Sequence, residues 1–303
     1  MKRNFQQYAF SSIPTKNNKI ISLPTTLLDS SKSTILYTWD APRTGTLSRR
    51  YKRFLADIED FEEAKTVYCP NTGPMIGLLN FKETKVLLSK SYNSKRKYEW
   101  TLEALEVPTG KDDNMSWVGI HSSLANDMVA SGFTQHCFNE LKEYTNMKRE
   151  VKMKSGSRLD FVFTDESSKT LHLEVKSVTL LETLEDGTKL ATFPDTVSIR
   201  AQKHVRELIK VQRGGEVNAA ILFFVQRGDC DAFAPSVTHD PVFAELCATA
   251  VRAGVQLLVY SSVLEFNQET FQARCCGPLP LHRPWLDSIS DIADGQKLFS
   301  MHR

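Results

Sequence analysis

The stretch Ser157-Arg-Leu-Asp-Phe-Val-Phe-Thr164, followed by Leu171-His-Leu-Glu-Val-Lys-Ser177, decides the fold of the second half of the chain. Apolar residues alternate with others in both segments, namely Leu159, Phe161 and Phe163 in the first and Leu173 and Val175 in the second. This period of two places successive side chains on opposite faces of a β-strand. The polar residues 165–170 are typical of a hairpin connection. We therefore predict two antiparallel strands whose apolar rows share one face.

Three charged residues, Asp160, Glu174 and Lys176, fall on the face opposite those apolar rows. Carboxylates on neighbouring antiparallel strands lie close enough to hold a hard cation between them. We expect Asp160, Glu174 and the backbone carbonyl of Val175 to bind Mg²⁺, or Mn²⁺, with Lys176 as a catalytic ammonium group. A cation activates water for attack on a phosphodiester, so the trio indicates a metal-dependent phosphodiesterase. The alternative is a cross-strand ion pair on a solvated strand face.

Length and composition indicate a globular protein. The chain has 303 residues, enough for a large core and for two domains, and 41% of them are hydrophobic and 24% charged. The longest apolar run, 219–225, is too short to cross a bilayer as a helix, so we expect no contact with a membrane. Six cysteines without zinc-binding spacing indicate reduced thiols in an intracellular, soluble protein.

Basic residues are clustered although the net charge is only +2. Segments 43–53 and 90–97 each carry several cations and no acid, which is the pattern of a phosphate-binding surface. A solvated loop or strand face is the alternative interpretation. The residues predicted to contact nucleic acid are Arg49, Arg50, Lys52, Arg53, Lys95, Arg96, Lys97, Arg158 and Lys203.

The predicted secondary-structure pattern changes near Gly119. Residues 33–118 contain short strands separated by turns, which predicts a small barrel, with strands at 34–39, 48–58, 66–68, 85–88 and 101–107. Residues 119–281 predict a sheet covered on both faces by helices. Its predicted elements are a helical region at 122–145 broken near Gly132, strands at 148–153, 158–164 and 171–178, a helix at 198–212, a strand at 219–225, a helix at 241–252 and a strand at 255–260.

The helix at 198–212 and the segment before it supply further candidates. Gln202 is a further candidate catalytic residue, because it lies beside the buried stripe on a polar face that can meet a nucleic-acid backbone; plain surface exposure is the alternative. We interpret His204 as a packed side chain, because nothing near it in sequence offers a metal-ligand partner. Residues 180–193, with Asp-Gly at the centre, predict a hairpin flap after the catalytic strand.

The ends of the chain are predicted to lie outside both domains. Residues 1–32 form a flexible extension and residues 282–303 a C-terminal extension. The first 28 residues carry four cations and no acid, which fits an organellar transit segment or a disordered tail. The expected location is therefore cytoplasmic or organellar.

Seven ordered motifs resemble the sugar fermentation stimulation protein family. They are GTLSRRYKRFLAD (45–57), CPNTG (69–73), KRKY (95–98), SRLDF (157–161), EVKSVTL (174–180), FPD (193–195) and QKHVREL (202–208). The resemblance implies a fold of class α/β and β, with a small oligonucleotide-binding (OB) barrel at 33–118 before a restriction-endonuclease-like, or PD-(D/E)XK, mixed sheet flanked by helices at 119–281. It also implies DNA binding and assigns the nuclease motif to Asp160, Glu174 and Lys176.

The sequence departs from the family pattern at a few positions. HSSLAN (121–126) stands where the family tends to have Asn-Thr-Ser-Leu-Pro-Asn, and Asp127 replaces a basic residue. Ile199 and Ala201 are also unusual. These changes affect contacts of the helix faces rather than the predicted metal centre.

Taken together, the residues and the resemblance predict a nucleic-acid-binding, metal-dependent nuclease acting on DNA or RNA, with DNA the expected partner. The alternative is a non-catalytic DNA-binding regulatory protein that retains a nuclease scaffold. At the sequence level a monomer and a homodimer both stay open.

Overall fold

A computed structural model describes residues 34–109, 114–153 and 156–290 of the chain. The predicted extension at 1–32, with its candidate transit segment, and residues 291–303 of the C-terminal extension lie outside this part. No helix in the described ranges has the length and apolar character needed to span a membrane.

Among the described residues before residue 120, all the regular secondary structure consists of β-strands. They are β1 (Ile35–Trp39), β2 (Arg43–Tyr51), β3 (Leu55–Glu59), β4 (Thr66–Tyr68), β5 (Lys85–Lys90), β6 (Trp100–Pro108) and β7 (Met115–Gly119).

Helices and strands alternate in the rest of the chain. In order these elements are α1 (Leu124–Thr134), a 3₁₀ turn (Asn139–Leu141), β8 (Tyr144–Lys152), β9 (Arg158–Asp165), β10 (Thr170–Val178), β11 (Leu180–Thr183), β12 (Lys189–Phe193), α2 (Ile199–Gly214), β13 (Asn218–Val225), β14 (Ala232–Pro235), α3 (Pro241–Arg252), β15 (Gln256–Asn267), β16 (Thr270–Pro278) and α4 (Arg283–Ser290).

Strands β2 to β6 form the small barrel that the sequence predicts. The sheet order is β4-β3-β2-β5-β6-β7, and a parallel pairing of Tyr68 with Thr101 joins β4 to β6 and closes the barrel. Closure removes the open strand edges that a flat sheet of this size would expose. The OB-type barrel is thus confirmed.

Two details of the predicted barrel are wrong. The segment 48–58 is not one strand but the hairpin of β2 and β3, because Lys52 and Arg53 have positive φ values of 49° and 64° and reverse the chain. The strand at 34–39 does form as β1, but it pairs with β16 in the other sheet. A strand pattern predicts extended backbone and does not specify its partner.

The second sheet has seven strands in the order β1-β16-β15-β13-β10-β9-β8. Its centre, β10-β13-β15, is parallel and the remaining pairs are antiparallel. Along β13, Leu222 and Phe224 join the core under α1, while Ile221 and Phe223 join the core under α2 and α3. The mixed sheet with helices on both faces is therefore confirmed, and its burial on both sides explains why β13 is apolar from Ala219 to Val225.

Strands β9 and β10 form the predicted antiparallel hairpin, in register from Thr164 opposite Thr170 to Phe161 opposite Leu173. Phe161 and Leu173 share the core under α1, as expected, but Leu159 packs under α2. Leu159 lies beyond the last residue of β9 that pairs with β10, and it pairs instead with Val151 of β8.

The helical region after Gly119 breaks later than predicted. Helix α1 runs through Gly132 and ends at Thr134, where His136 takes a φ of 57°. Gly132 does not break the helix. It leaves room for the buried ring of Phe138, which lies 2.7 Å from where a Cβ atom of residue 132 would be.

We predict that Gly132→Ala destabilises the protein by about 1–3 kcal/mol, because the buried Phe138 ring would have to move. Gly214→Ala is the matched control, since Gly214 is also helical and nothing lies within 4 Å of the added methyl group. The control should leave stability unchanged or raise it by up to about 1 kcal/mol. Urea unfolding of the full chain measures both, and equal effects of the two changes would contradict the packing argument.

Asp57 on β3 is a buried carboxylate that organises one side of the barrel. It accepts hydrogen bonds from Thr66 Oγ1 (2.7 Å), Arg49 Nε (2.8 Å) and the Tyr51 hydroxyl (3.1 Å). The hydrogen bond from Thr66 lowers the pKa of Asp57, and Arg49 and Tyr51 lower it further against the opposing effect of burial. Asp57 thereby stabilises the barrel in its charged form.

We predict that Asp57→Asn lowers the free energy of unfolding at pH 7 and that this loss shrinks in acid. A pKa below its ordinary value of 3.8 in the folded state means that the carboxylate stabilises the fold above that pH and ceases to do so as the pH falls through the folded-state pKa. Urea midpoints between pH 7 and pH 3 test this, with the exposed Asp60→Asn as control. A loss that does not change with pH would contradict the role of charge.

Candidate functional site

The β9–β10 hairpin fixes the position of the Asp160 carboxylate. Its Oδ2 accepts the backbone N–H of Val175 at 2.8 Å, and its Oδ1 accepts the side-chain amide of Asn126, on α1, at 3.0 Å. Asp160 is therefore held from two elements while each of its oxygens keeps a lone pair for another partner.

Glu174 and Lys176 lie on β10, two residues apart and therefore on the same face of the strand. Glu174 Oε1 accepts a hydrogen bond from Lys176 Nζ at 2.7 Å and also contacts Nδ1 of His204 on α2. Both Glu174 and Lys176 are buried, at 4% and 9% exposure. Among the described residues, the second oxygen of Glu174 has no hydrogen-bond partner.

The two carboxylates respond differently to this environment. Burial raises the pKa of Asp160, and the negative charge of Glu174 raises it further, against the hydrogen bonds from Val175 and Asn126. Burial also acts to raise the pKa of Glu174, but Lys176 and His204 outweigh it, so the pKa of Glu174 is lowered. Glu174 is thus the better-compensated charge, and Asp160 is the one that a further cation would stabilise most.

His204 is the site residue that the sequence interpretation missed. Its contact with Glu174 joins residues 30 positions apart, so no local pattern links them. Helical spacing in the sequence could have indicated that His204 is buried, because it follows Ala201 by three positions and adjoins Val205, both of which are buried. A histidine on the buried stripe of a helix that covers an acidic strand needs a polar partner there.

Gln202 does not join the carboxylates. It is buried, and its amide donates to both oxygens of Asp240, at 2.9 and 3.2 Å. Asp240 in turn accepts the backbone N–H groups of Phe243 and Ser198, at the first turns of α3 and α2. The structure therefore places Gln202 in a link between the two helices, not on an exposed polar face.

A cleft of about 470 Å³ lies above the three charged residues, Asp160, Glu174 and Lys176. One wall comes from the barrel loop 71–73, and the others come from the start of α1 and from residues 192–201. Asp195 in that last segment accepts the backbone N–H of Met75, in the barrel, at 3.0 Å. The barrel and the mixed sheet thus build the cleft together.

Arg50 connects the basic strand β2 to the rim of this cleft. Its guanidinium donates to the carbonyls of Arg53 and Asn71, both at 2.7 Å. The side chain of Asn71 donates to the carbonyl of Ile120 at 3.1 Å. Arg50 is half-buried, and its hydrogen bond to Asn71 helps to fix the loop at 71–73. It is therefore not a free cation on the surface.

The other predicted nucleic-acid contacts fall into two groups. On the barrel, Arg49 lies over the ring of Tyr51 (4.8 Å) and Arg96 over that of Tyr68 (5.3 Å), and the exposed cations beside them are Lys52, Arg53, Lys95 and Lys97. Near the cleft, Arg158 lines the wall and pairs with Glu150, whereas Lys203 is exposed and pairs with Glu207 outside the wall.

The predicted hairpin flap is present as β11 and β12, in register from Leu180 opposite Thr192 to Thr183 opposite Lys189. A strand that the sequence did not predict, β14, pairs with β12 and makes a three-stranded sheet. Leu180 and Thr192 line the cleft, so the base of the hairpin is part of its wall.

Comparison with known proteins agrees with this architecture. The family model described as the SfsA N-terminal OB domain matches residues 49–120, and that of the sugar fermentation stimulation protein RE domain matches residues 123–268.

Relatives named sugar fermentation stimulation protein homolog occur in cyanobacteria. The relative from Synechococcus elongatus is 40% identical over 247 residues, covering 81% of this chain and 98% of the relative. That from Acaryochloris marina is 43% identical over 225 residues, covering 74% and 88%.

A solved structure, that of Pyrococcus furiosus SfsA in complex with Ca²⁺, has the same fold. It superposes with a TM-score of 0.71 at 23% sequence identity and covers 82% of this chain and 99% of that one. Both domain models, the cyanobacterial relatives and this fold agree, and the chain belongs to the sugar fermentation stimulation protein family.

Proposed function

We propose that this protein is a metal-dependent nuclease that binds nucleic acid and hydrolyses its phosphodiester bonds. The observation that carries the proposal is the position of the half-buried Asp160 and the buried Glu174 and Lys176 at one cleft, with both carboxylates fixed by neighbouring groups. Buried acidic and basic groups held together in a cleft are typical of catalytic sites.

The donor set fits a small hard cation. Mg²⁺ is commonly held by one or two carboxylates and keeps several waters. Asp160, Glu174 and the carbonyl of Val175 would supply the protein ligands, and the cleft has room for the waters. Burial and the nearby charge of Glu174 raise the pKa of Asp160, and a cation bound beside this carboxylate would oppose both effects. A relative of the same fold, from Pyrococcus furiosus, was solved in complex with Ca²⁺, which supports a divalent cation here.

When bound, Mg²⁺ or Mn²⁺ would lower the pKa of a coordinated water and neutralise negative charge on the phosphate. The residues of the chain supply the fixed environment around that chemistry. Lys176 orients a water or stabilises the negative charge that develops on the phosphate, without having to reorganise. His204 and Lys176 both hold Oε1 of Glu174, and this leaves Oε2 as the oxygen with capacity for a ligand.

The barrel supplies affinity for the phosphate backbone in this proposal. Exposed cations at the β2–β3 turn and at 95–97 lie among few acidic residues, so their attraction for a polyanion is not cancelled locally. Such contacts position a nucleic acid without reading its sequence. We expect DNA as the partner, with RNA as the alternative.

The experiment compares cleavage of labelled DNA and RNA oligonucleotides, single-stranded and duplex, with Mg²⁺, Mn²⁺ or EDTA. Asp160→Asn should abolish cleavage, and Lys176→Ala should lower turnover by about 10²–10³-fold with a much smaller change in binding. The matched control is Glu166→Gln, on the exposed turn of the same hairpin, and it should retain full activity. Thermal unfolding of each variant verifies that it is folded.

Equal cleavage by Asp160→Asn and the wild type would identify a contaminating nuclease and overturn the proposal. A second candidate function, nucleic-acid binding without hydrolysis, is favoured by the two side chains, Lys176 and His204, that already contact Glu174. Binding that persists in a mobility-shift series while no divalent metal supports cleavage would establish that alternative.

A further inference from the structure

We propose that the preferred ligand is single-stranded nucleic acid, whose unpaired bases stack on a platform formed by Phe54, Tyr68 and Arg96 beside the cleft. The inference deepens the proposed function by assigning the class of substrate. Its binding step stands independently of hydrolysis.

The platform combines flat groups with a positive charge. The rings of Phe54 and Tyr68 are stacked at 14° with centroids 6.4 Å apart, and the guanidinium of Arg96 lies 5.3 Å from the Tyr68 centroid. Phe54 is 42% exposed. A single exposed ring is ordinary on a protein surface, but parallel rings with a cation over one of them form a surface that suits a base and its phosphate.

Backbone and side-chain hydrogen bonds hold the platform in place. The carbonyl of Phe54 accepts the N–H of Cys69 at 2.7 Å, which ties the end of the β2–β3 turn to the strand that carries Tyr68. Arg96 also donates to Thr101 Oγ1 at 2.9 Å. Groups fixed before binding lose little conformational freedom when a ligand arrives.

The platform lies close to the cleft. Asn71, which lines the cleft, follows Tyr68 by three residues, so the two Cα atoms are at most about 11 Å apart. Arg50 binds the carbonyls of both Arg53 and Asn71, and so it joins the turn before Phe54 to the cleft rim. A strand with a base on the platform therefore lies beside the rim of the cleft that Asp160 and Glu174 also line.

Stacking selects single strands, whereas charge does not. In a duplex the faces of the bases are covered by their neighbours, and only the phosphates are available to the cations of the barrel. An unpaired base can add its face to the platform, and base–aromatic stacking is independent of sequence because each base has a π-face. The platform thus supplies a preference that Lys52, Arg53, Lys95 and Lys97 cannot supply.

The test measures the affinity of the full chain for fluorescein-labelled dT20, rU20 and a 20-bp DNA duplex by anisotropy in EDTA, where hydrolysis is absent. Wild type should bind a single strand more tightly than the duplex. Phe54→Ala should weaken single-strand binding by about 5- to 150-fold and change duplex binding less than twofold. Phe54→Leu should give a similar loss, because it retains apolar bulk without a ring.

The control is Phe81→Ala, because Phe81 is 40% exposed in the loop between β4 and β5 and takes no part in the platform. It should bind as the wild type does. The salt dependence of single-strand binding should be unchanged in Phe54→Ala, since no charge is removed. Equal wild-type affinity for single strand and duplex, no binding of a single strand, or equal weakening of both by Phe54→Ala would overturn the inference.

Failure of the inference and failure of the proposed function are distinguishable. Phe54-dependent binding of a single strand with no cleavage under any metal would refute hydrolysis alone. Metal-dependent cleavage of duplex and single strand at equal rates, unaffected by Phe54→Ala, would refute the platform and leave the nuclease intact.

Discussion

The contact of Glu174 with Lys176 and His204 is the interaction on which the site depends. A carboxylate that is 4% exposed is costly to bury unless partners compensate its charge, and here they come from its own strand and from α2. This requirement fixes α2 against the face of β10 and fixes Lys176 beside the cleft. The same requirement separates the roles of the two acids: Glu174 is balanced internally, whereas Asp160 keeps a raised pKa and capacity for a further cation.

A second constraint is that neither the barrel nor the mixed sheet makes the cleft alone. Contacts between them include Asp195 with the N–H of Met75, Asn71 with the carbonyl of Ile120, and the N–H of Gly119 with the carbonyl of Gln226 at 2.9 Å. The ideal Cβ position of Gly73 is 3.0 Å from the Asp195 carboxylate, so a larger residue there would require the Asp195 side chain to shift. In the proposed function, a nucleic acid bound on the barrel would therefore lie next to the cleft that holds Asp160 and Glu174.

The features that sequence reasoning could predict are those carried by neighbouring residues. Asp160, Glu174 and Lys176 lie on one hairpin, and the period of two places them together once its turn is recognised. The apolar run of β13 identifies a strand buried on both faces for the same local reason. What failed depends on distant partners: β1 pairs with β16, Gln202 binds Asp240, and His204 binds Glu174. Propensity describes a segment, while pairing and burial are properties of the whole chain.

Two of the positions that the sequence analysis singles out as unusual, His121 and Asp127, have a partner within the described residues, as the same principle requires. His121 binds the buried Glu103 of the barrel through Nδ1 at 2.7 Å, and Ser89 donates to the other oxygen of Glu103 at 2.6 Å. Asp127, which takes the place of a basic residue, pairs with Arg149 on β8. His121 thus adds a polar contact between the two halves, and Asp127 joins α1 to the edge strand. Because α1 also carries Asn126, which donates to Asp160, these two contacts help to fix the helix that supports the acidic centre.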